Sequence, residues 1–310
     1  MKVAFICAKG FNTLIGKTVD ALSKDYNVCL AEVSSVEGIE KAIKWADIVW
    51  FEFANEVAAI GTKSPFIKGK KVIVRLRSYE LFNQLYKGIE WNAVNRLVFT
   101  ASHVKTLLGE IYHEIKNVKS IVIENGFELE NASNNNFKTG YDIAWVPNGI
   151  DHRKNPPMVL QIMKKLNNVS PQFKLHIAGT YRELRHRVYM EYLTKELGLQ
   201  DNIIHYGFVT NMETFWQDKN YLLSTSLFES FGNNIFEAMI HNIQPVIHNF
   251  YGAKQLYPTE ALFNTIDEAV NMIVTPRHIE GRKFVQEKGY TFDNQIAKTR
   301  TLIESLKEES

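Results

Sequence analysis

The chain has 310 residues, of which 45% are hydrophobic and 23% charged. That composition excludes disorder as the main state, and at about 100–200 residues per domain it predicts two domains. Lys plus Arg number 36 against 34 Asp plus Glu, a formal charge of +2, which gives no overall drive toward nucleic acid. The two cysteines, Cys7 and Cys29, sit in apolar runs, so buried free thiols are expected rather than a disulfide. The opening MKVAFICAKG is too short for a signal peptide, and no apolar stretch reaches membrane-spanning length. A soluble, cytoplasmic protein is the expectation.

Strand-like and helix-like runs alternate from the start. Val3–Cys7, Val28–Val33, Asp47–Phe53, Lys71–Arg77, Arg96–Ala101 and Ser120–Glu124 are short runs rich in Val, Ile and aromatics. Helical spacing over Thr13–Lys24 and amphipathic stretches between the other runs predict a parallel sheet covered on both faces. Phe127–Gly140 breaks the pattern with Asn, Ser and Gly and reads as a linker. The alternation then restarts. Tyr141–Val146, Lys174–Ala178, Asn202–Tyr206, Tyr221–Ser226 and Pro245–His248 are strand candidates. Met158–Leu166, Glu183–Leu197, Met212–Gln217 and Asn234–His241 are helix candidates, and a last helix over about 293–306 is expected with Asp293 as its cap.

The expected fold class is therefore α/β, with two doubly wound, Rossmann-like domains. Residues 1–130 form the first, 131–140 link, 141–290 form the second, and 291–310 pack back on the first. A crevice between two such domains is a favoured ligand site, because strand C-termini open into it.

Several motifs fail. Gly10–Thr18 reads GFNTLIGKT, but five residues separate its glycines where a phosphate loop needs four. What survives is Gly10 at the first strand–helix junction, where backbone N–H groups favour an anion. G-x-G-x-x-G, G-x-S-x-G, H-E-x-x-H and D-x-D are all absent, so no metal seat is expected. His176, His205 and His248 lie in strand candidates and read as satisfied core or surface histidines.

The informative segment is Ser226–Pro245, SLFESFGNNIFEAMIHNIQP. A strand ends, a turn passes through Gly232, and a helix begins. Backbone N–H groups of Phe231, Gly232, Asn233 and Asn234 would face outward at that helix start. Glu229 lies in the loop and Glu237 about one turn inside the helix. A carboxylate accepts from two adjacent hydroxyls in a fork, which suits a ribose diol or a hexose edge. Alone, two acids at this spacing would be surface charges.

The longer pattern, S-x-x-E-S-F-G-x-x-x-x-E-A-M followed by a Pro-led strand, resembles the signature of retaining GT-B glycosyltransferases of family GT4. Ser226, Glu229, Ser230, Phe231, Gly232, Glu237, Ala238, Met239 and Pro245 match it in order. Lys174–Gly179 (KLHIAG), Leu197–Val209 (LGLQDNIIHYGFV) and Asn125-Gly126 resemble further stretches of that family. The resemblance covers residues 120–290 well and residues 1–119 in layout alone.

The resemblance implies a GT-B fold, no cofactor, no metal, and a nucleoside-diphosphate sugar as donor substrate. Glu237 would hold the ribose hydroxyls, and Glu229 the donor sugar. Lys154, in His152–Asn155 (HRKN), would stabilise the departing diphosphate. Gly179 would lie in the glycine turn, Tyr206, Gly207 and Phe208 beside the base, and Gly10 would approach the diphosphate from the first domain. The chain departs from the family in four places. Pro147-Asn148 stands where a G-R pair is expected, with Arg153 as a displaced substitute. Arg77 stands where a His is common beside the donor sugar. Ile240 and Asn242 replace a small residue and Gly, and Gln255 replaces an acid.

The implied activity is hexose transfer to an acceptor hydroxyl with retention. Two rivals remain at this point. A sugar-nucleotide epimerase would use His103, Glu80 or Glu124. A non-catalytic nucleotide-sugar binder would be favoured by the departures at Arg77 and Asn148. The acceptor, whether glycan, lipid or small molecule, is not legible. Lys63, Lys68, Lys70 and Lys71 form a cluster of the kind that meets anionic headgroups in weak peripheral membrane contact, although small charge clusters usually have no partner.

Overall fold

The computed structural model describes residues 1–12, 15–130, 132 and 137–308. The expected start of the first helix at Thr13 and Leu14, and the Asn run at 134–136, lie outside the described residues. The chain divides into two compact units, Met1–Gly126 with Phe292–Ser310, and Phe127–Thr291. The division falls between Gly126 and Phe127, ahead of the expected boundary at 130. Phe127 belongs with the second unit because its ring packs 5.5 Å from Phe236 and its N–H donates to the Tyr290 carbonyl at 3.0 Å.

The first unit holds six strands: β1 (Lys2–Ala8), β2 (Asn27–Val33), β3 (Ile48–Phe51), β4 (Lys71–Leu76), β5 (Arg96–Phe99) and β6 (Ser120–Val122). Their order is β2-β1-β3-β4-β5-β6, and every pairing is parallel. All four residues of β3 are buried, as a strand covered on both faces requires. Helices start where side chains satisfy their first N–H groups: Ser35 accepts from Gly38 at 3.2 Å and Asn55 from Val57 at 3.1 Å. The closing helix, Phe292–Glu308, sends Ile296, Leu302, Ile303 and Leu306 into the core around Val3, Phe5 and Trp50. It begins one residue before Asp293, so Asp293 lies in the first turn and is not the cap; an acid there still complements the helix dipole.

The second unit also holds six strands: β7 (Asp142–Ile150), β8 (Lys174–Tyr181), β9 (Ile203–Gly207), β10 (Tyr221–Ser224), β11 (Gln244–His248) and β12 (Leu262–Phe263). Their order is β12-β11-β10-β7-β8-β9, again all parallel. β7 runs four residues past the expected end at Val146. Pro147 and Asn148 look like a strand end in sequence, but an irregularity in the β7–β8 register between Trp145 and Asn148 absorbs them, and Asn148 takes φ +60°. The helix after β7 spans Pro156–Val169, longer than Met158–Leu166, because Pro156 supplies a ready first helical residue.

Strand order fixes where a ligand can sit. The order turns back between β7 and β10, so loops leaving those two strands diverge to opposite sides. Their C-terminal ends form the switch point at which open α/β sheets bind ligands. Both cysteines are free thiols; Cys7 is buried and Cys29 only half-buried, so the expectation of burial fails for Cys29. No described helix is long and apolar enough to cross a membrane.

Candidate functional site

The loop leaving β7 is built around Asp151. This buried carboxylate caps the short turn His152–Lys154, accepting from the Arg153 backbone N–H at 3.0 Å. It also takes the Arg153 guanidinium as a fork, with Nε to Oδ1 at 3.1 Å and Nη2 to Oδ2 at 2.6 Å. Burial pushes Asp151 up, but the hydrogen bonds and charge of Arg153, with Arg182 adding to them, outweigh it and hold the carboxyl below its ordinary range. Arg153 is thereby spent on fixing the turn.

Lys154 points the other way, into an ion pair with Glu229 from the loop after β10. Two further hydrogen bonds join the loops, and a third fixes Glu229 within its own loop. Leu227 N–H donates to the Arg153 carbonyl at 2.8 Å, Thr225 Oγ1 to the Lys154 carbonyl at 2.6 Å, and Ser226 Oγ to Glu229 Oε1 at 2.7 Å. Lys154 and Glu229 are thus brought together across the switch point, 75 residues apart in sequence.

The turn continues through Gly232, which caps the helix Asn233–Ile240 with φ +76°. Only glycine fits here for two reasons. The left-handed backbone disfavours a side chain, and a Cβ would lie 2.3 Å from Tyr257 Oη. That hydroxyl donates to the Phe231 carbonyl at 2.6 Å, and the Phe231 ring is buried against Phe236 and Tyr290 at 4.6 and 5.1 Å. The helix start is fixed on its other side by Asn234 Nδ2, which donates to the Val146 carbonyl at 2.8 Å. Asn233 begins the helix. Glu237 follows one turn on, half-buried, and burial raises its carboxyl above the ordinary range. Among the described residues no group hydrogen bonds or ion-pairs with this carboxylate. A desolvated acceptor without a partner costs free energy until one arrives.

Gly179 lies against the β7 irregularity, where a Cβ would meet the Asn148 carbonyl at 3.1 Å. Tyr206 and Gly207 end β9 and Phe208 follows it; Gly207 has φ +66° and Phe208 is 70% exposed. Tyr206 Oη lies 2.9 Å from His176 Nδ1, whose Nε2 lies 2.8 Å from Asp142. His176 is therefore a satisfied core histidine, and burial first of all lowers its pKa.

In the first unit, the Gly10 N–H donates to the Glu32 carboxylate at 3.0 Å. The amide expected to meet a phosphate is occupied by an acid, which repels one. Arg77 pairs with fully buried Glu52 at 3.0 Å, and Arg75 approaches the same oxygen at 3.6 Å. Burial pushes Arg75 down to about 10. The epimerase candidates are also committed: His103 is fully buried, Glu80 is buried and accepts from Arg77 N–H at 2.9 Å, and Glu124 pairs with Lys298 at 2.6 Å.

Asp151, Arg182 and Tyr257 escaped the sequence reading. Asp151 could have been found, since an Asp before HRKN is a helix-start signal. Arg182 and Tyr257 carry no local signal, because each acts on a residue distant in sequence. Among the described residues no His, Cys, Asp and Glu group is arranged to hold a metal ion.

Residues 128–258 match the family model described as Glycosyl transferases group 1, and this span lies within the second unit. The tRNA-queuosine alpha-mannosyltransferase of Drosophila melanogaster is 24% identical over 163 residues, a match covering 50% of this chain and 42% of that protein. The match therefore spans less than half the length of that relative. Among solved structures, HepE of Anabaena, in complex with UDP and glucose, superposes with a TM-score of 0.80 at 14% identity, over 98% of this chain and 100% of that one. Sucrose-phosphate synthase of Thermosynechococcus elongatus gives 0.80 at 13% identity over 100% of both chains. TarM of S. aureus gives 0.71 at 16% identity, over 86% of this chain and 57% of TarM. These likenesses show the fold, two six-stranded parallel α/β units of the GT-B type.

Proposed function

We propose that the chain is a GT4-like glycosyltransferase that moves a hexose from a nucleoside-diphosphate sugar to an acceptor hydroxyl with retention of configuration. The observation that carries this reading is the Lys154–Glu229 pair at the switch point of the second unit, with Glu237, which has no partner among the described residues, one turn into the adjoining helix. The family match over residues 128–258 supports it, as do neighbours solved with UDP.

In the free protein Lys154 and Glu229 neutralise one another. A diphosphate offers Lys154 more negative charge than one carboxylate does, so donor binding draws the ammonium away. Glu229 is then released to accept from sugar hydroxyls. Glu237 accepts from the ribose diol, which relieves its lack of a partner. The bond between the anomeric carbon and the diphosphate oxygen breaks, and Lys154 stabilises the charge that grows on that oxygen. The acceptor oxygen bonds to the same face of the carbon, and its proton passes to the departing phosphate. No protein nucleophile takes part. This scheme gives Gly10 no part, because its amide donates to Glu32. Arg153 contributes by fixing the turn and not by facing the phosphate.

The epimerase reading gains nothing from the geometry, because His103 and Glu80 are buried and Glu124 is paired. The test is titration of UDP-, GDP- and ADP-sugars by calorimetry, together with donor hydrolysis and transfer assays. Charge-assisted hydrogen bonds of this kind are worth about 1.5–3 kcal/mol. Glu237→Ala and Lys154→Ala are each expected to weaken the best donor by about tenfold or more. Unchanged donor affinity in both variants would show the site to be misassigned.

A further inference from the structure

Beside the Lys154 turn stands a further cation, noted above only for its charge on Asp151. Arg182 follows β8, and its backbone N–H donates to the Ile150 carbonyl at 3.2 Å, one residue from Asp151. Its side chain lies across Gly149. A Cβ at that position would fall 2.0 Å from Arg182 Nε and 2.8 Å from Cζ. Gly149 has no positive φ, so glycine serves here to make room and not to bend the chain.

The room is made for a weak contact. Arg182 Nε is 3.8 Å from Asp151 Oδ2, the oxygen that already holds Arg153 Nη2 at 2.6 Å. One carboxylate thus faces two guanidinium groups, and Arg153 has the close geometry. The Arg182 side chain is 54% exposed, against 19% for Lys154. A guanidinium this exposed and this far from its carboxylate contributes little to stability. Among the described residues, the ion pairs of this cluster set three cations, Arg153, Lys154 and Arg182, against two carboxylates, Asp151 and Glu229. Arg182 is the most exposed of the three cations, and a planar guanidinium fork matches phosphate oxygens.

We propose that Arg182 is a second cation for the donor diphosphate, seated by Gly149 and aimed by Asp151. This rests on the donor-binding reading of the Lys154 turn.

The experiment is calorimetric titration of UDP, GDP and ADP, and of the matching nucleosides, into the full chain. Arg182→Ala and Arg182→Gln are expected to weaken the best-bound diphosphate by about tenfold and leave its nucleoside within about twofold. Arg182→Lys should recover part of the loss. Gly149→Ala should weaken the diphosphate in the same sense, because it displaces the guanidinium without removing its charge. Melting curves confirm folding, and Arg182→Gln keeps the polar stem should Arg182→Ala misfold. Equal weakening of nucleoside and diphosphate, or no weakening of either, would overturn the proposal while leaving donor binding intact. A wild-type chain that binds no nucleoside diphosphate would overturn the donor reading itself, and this inference with it.

Discussion

Glu237 shows how a residue proposed to bind ligand can be a liability to the fold that carries it. Its carboxyl is raised by burial and has no hydrogen-bonding partner among the described residues. A carboxyl whose pKa is higher folded than unfolded binds its proton more tightly in the native state. Stability tied to it is complete below the unfolded value, near 4.3, and is lost as pH rises through the folded value. At neutral pH the charged form therefore weakens the protein. Glu237→Gln is expected to raise the melting temperature at pH 7, by an amount that shrinks as pH falls toward about 4. The same variant should lose donor affinity. Thermal melts from pH 4 to 8, with and without nucleotide, check both outcomes. An unaltered melting temperature at pH 7 would mean that Glu237 is well solvated. Glu229, Gly232 and Glu237 were legible because the turn and helix start that position them are contiguous in the chain. Tyr257 and Arg182 were not. Tyr257 acts on Phe231 from 26 residues away, and Arg182 rests on Gly149 only once β7 and β8 are paired. The partner of Gly10 was not legible for a similar reason, since Glu32, 22 residues on, reaches its amide only because β2 pairs with β1.

At the scale of elements, the closing helix repays the closest reading. Its apolar spacing was plain in sequence, and the structure shows what that face covers. Ile296, Leu302, Ile303 and Leu306 are buried with Val3, Phe5 and Trp50. Gln295 ties the helix down at both of its polar ends: its Oε1 accepts from Gly126 N–H at 2.6 Å and its Nε2 donates to Thr18 Oγ1 at 3.3 Å. Arg300 pairs with Asp25 at 2.6 Å and Lys298 with Glu124 at 2.6 Å, both at exposed positions worth little. Burying four aliphatic side chains contributes about 1.5–3 kcal/mol each, comparable with the whole stability of a typical domain. Ending the chain at Thr291 is expected to unfold the first unit, and Ile303→Ala to destabilise it by about 2–5 kcal/mol. Urea denaturation followed by circular dichroism measures both. A truncated chain with an unaltered first transition would show the helix to be dispensable. Element boundaries were less legible than element types. β7 was cut short at Val146 because Pro and Asn signal an ending, whereas the irregular register with β8 carries the strand on to Ile150.

At the scale of the whole molecule, the chain makes two sheets of six strands and passes between units twice, at Gly126 and at Thr291. The alternation of strands and helices could be read from the sequence, but the strand orders could not, since they depend on which face each connecting helix covers. One consequence follows from the partition. The second unit is a single unbroken segment, Phe127–Thr291, with its own core around Trp145, Leu160, Ile177 and Leu223. Every side chain proposed to meet the donor, Lys154, Arg182, Glu229 and Glu237, belongs to it. A fragment of residues 127–291 is therefore expected to fold alone and to bind the nucleoside diphosphate. Ligand that binds only the folded state adds RT ln(1 + [L]/Kd), about 2.7 kcal/mol at a hundredfold excess over Kd. For a domain of this size that corresponds to a rise of roughly 5–10 °C in melting temperature. The first unit cannot be excised in the same way, because its core requires the closing helix from beyond Thr291. Melting the fragment with and without UDP, GDP and ADP distinguishes the outcomes. A folded fragment that no diphosphate stabilises would require donor-binding groups outside the second unit, and would shift the site toward the strand ends of the first.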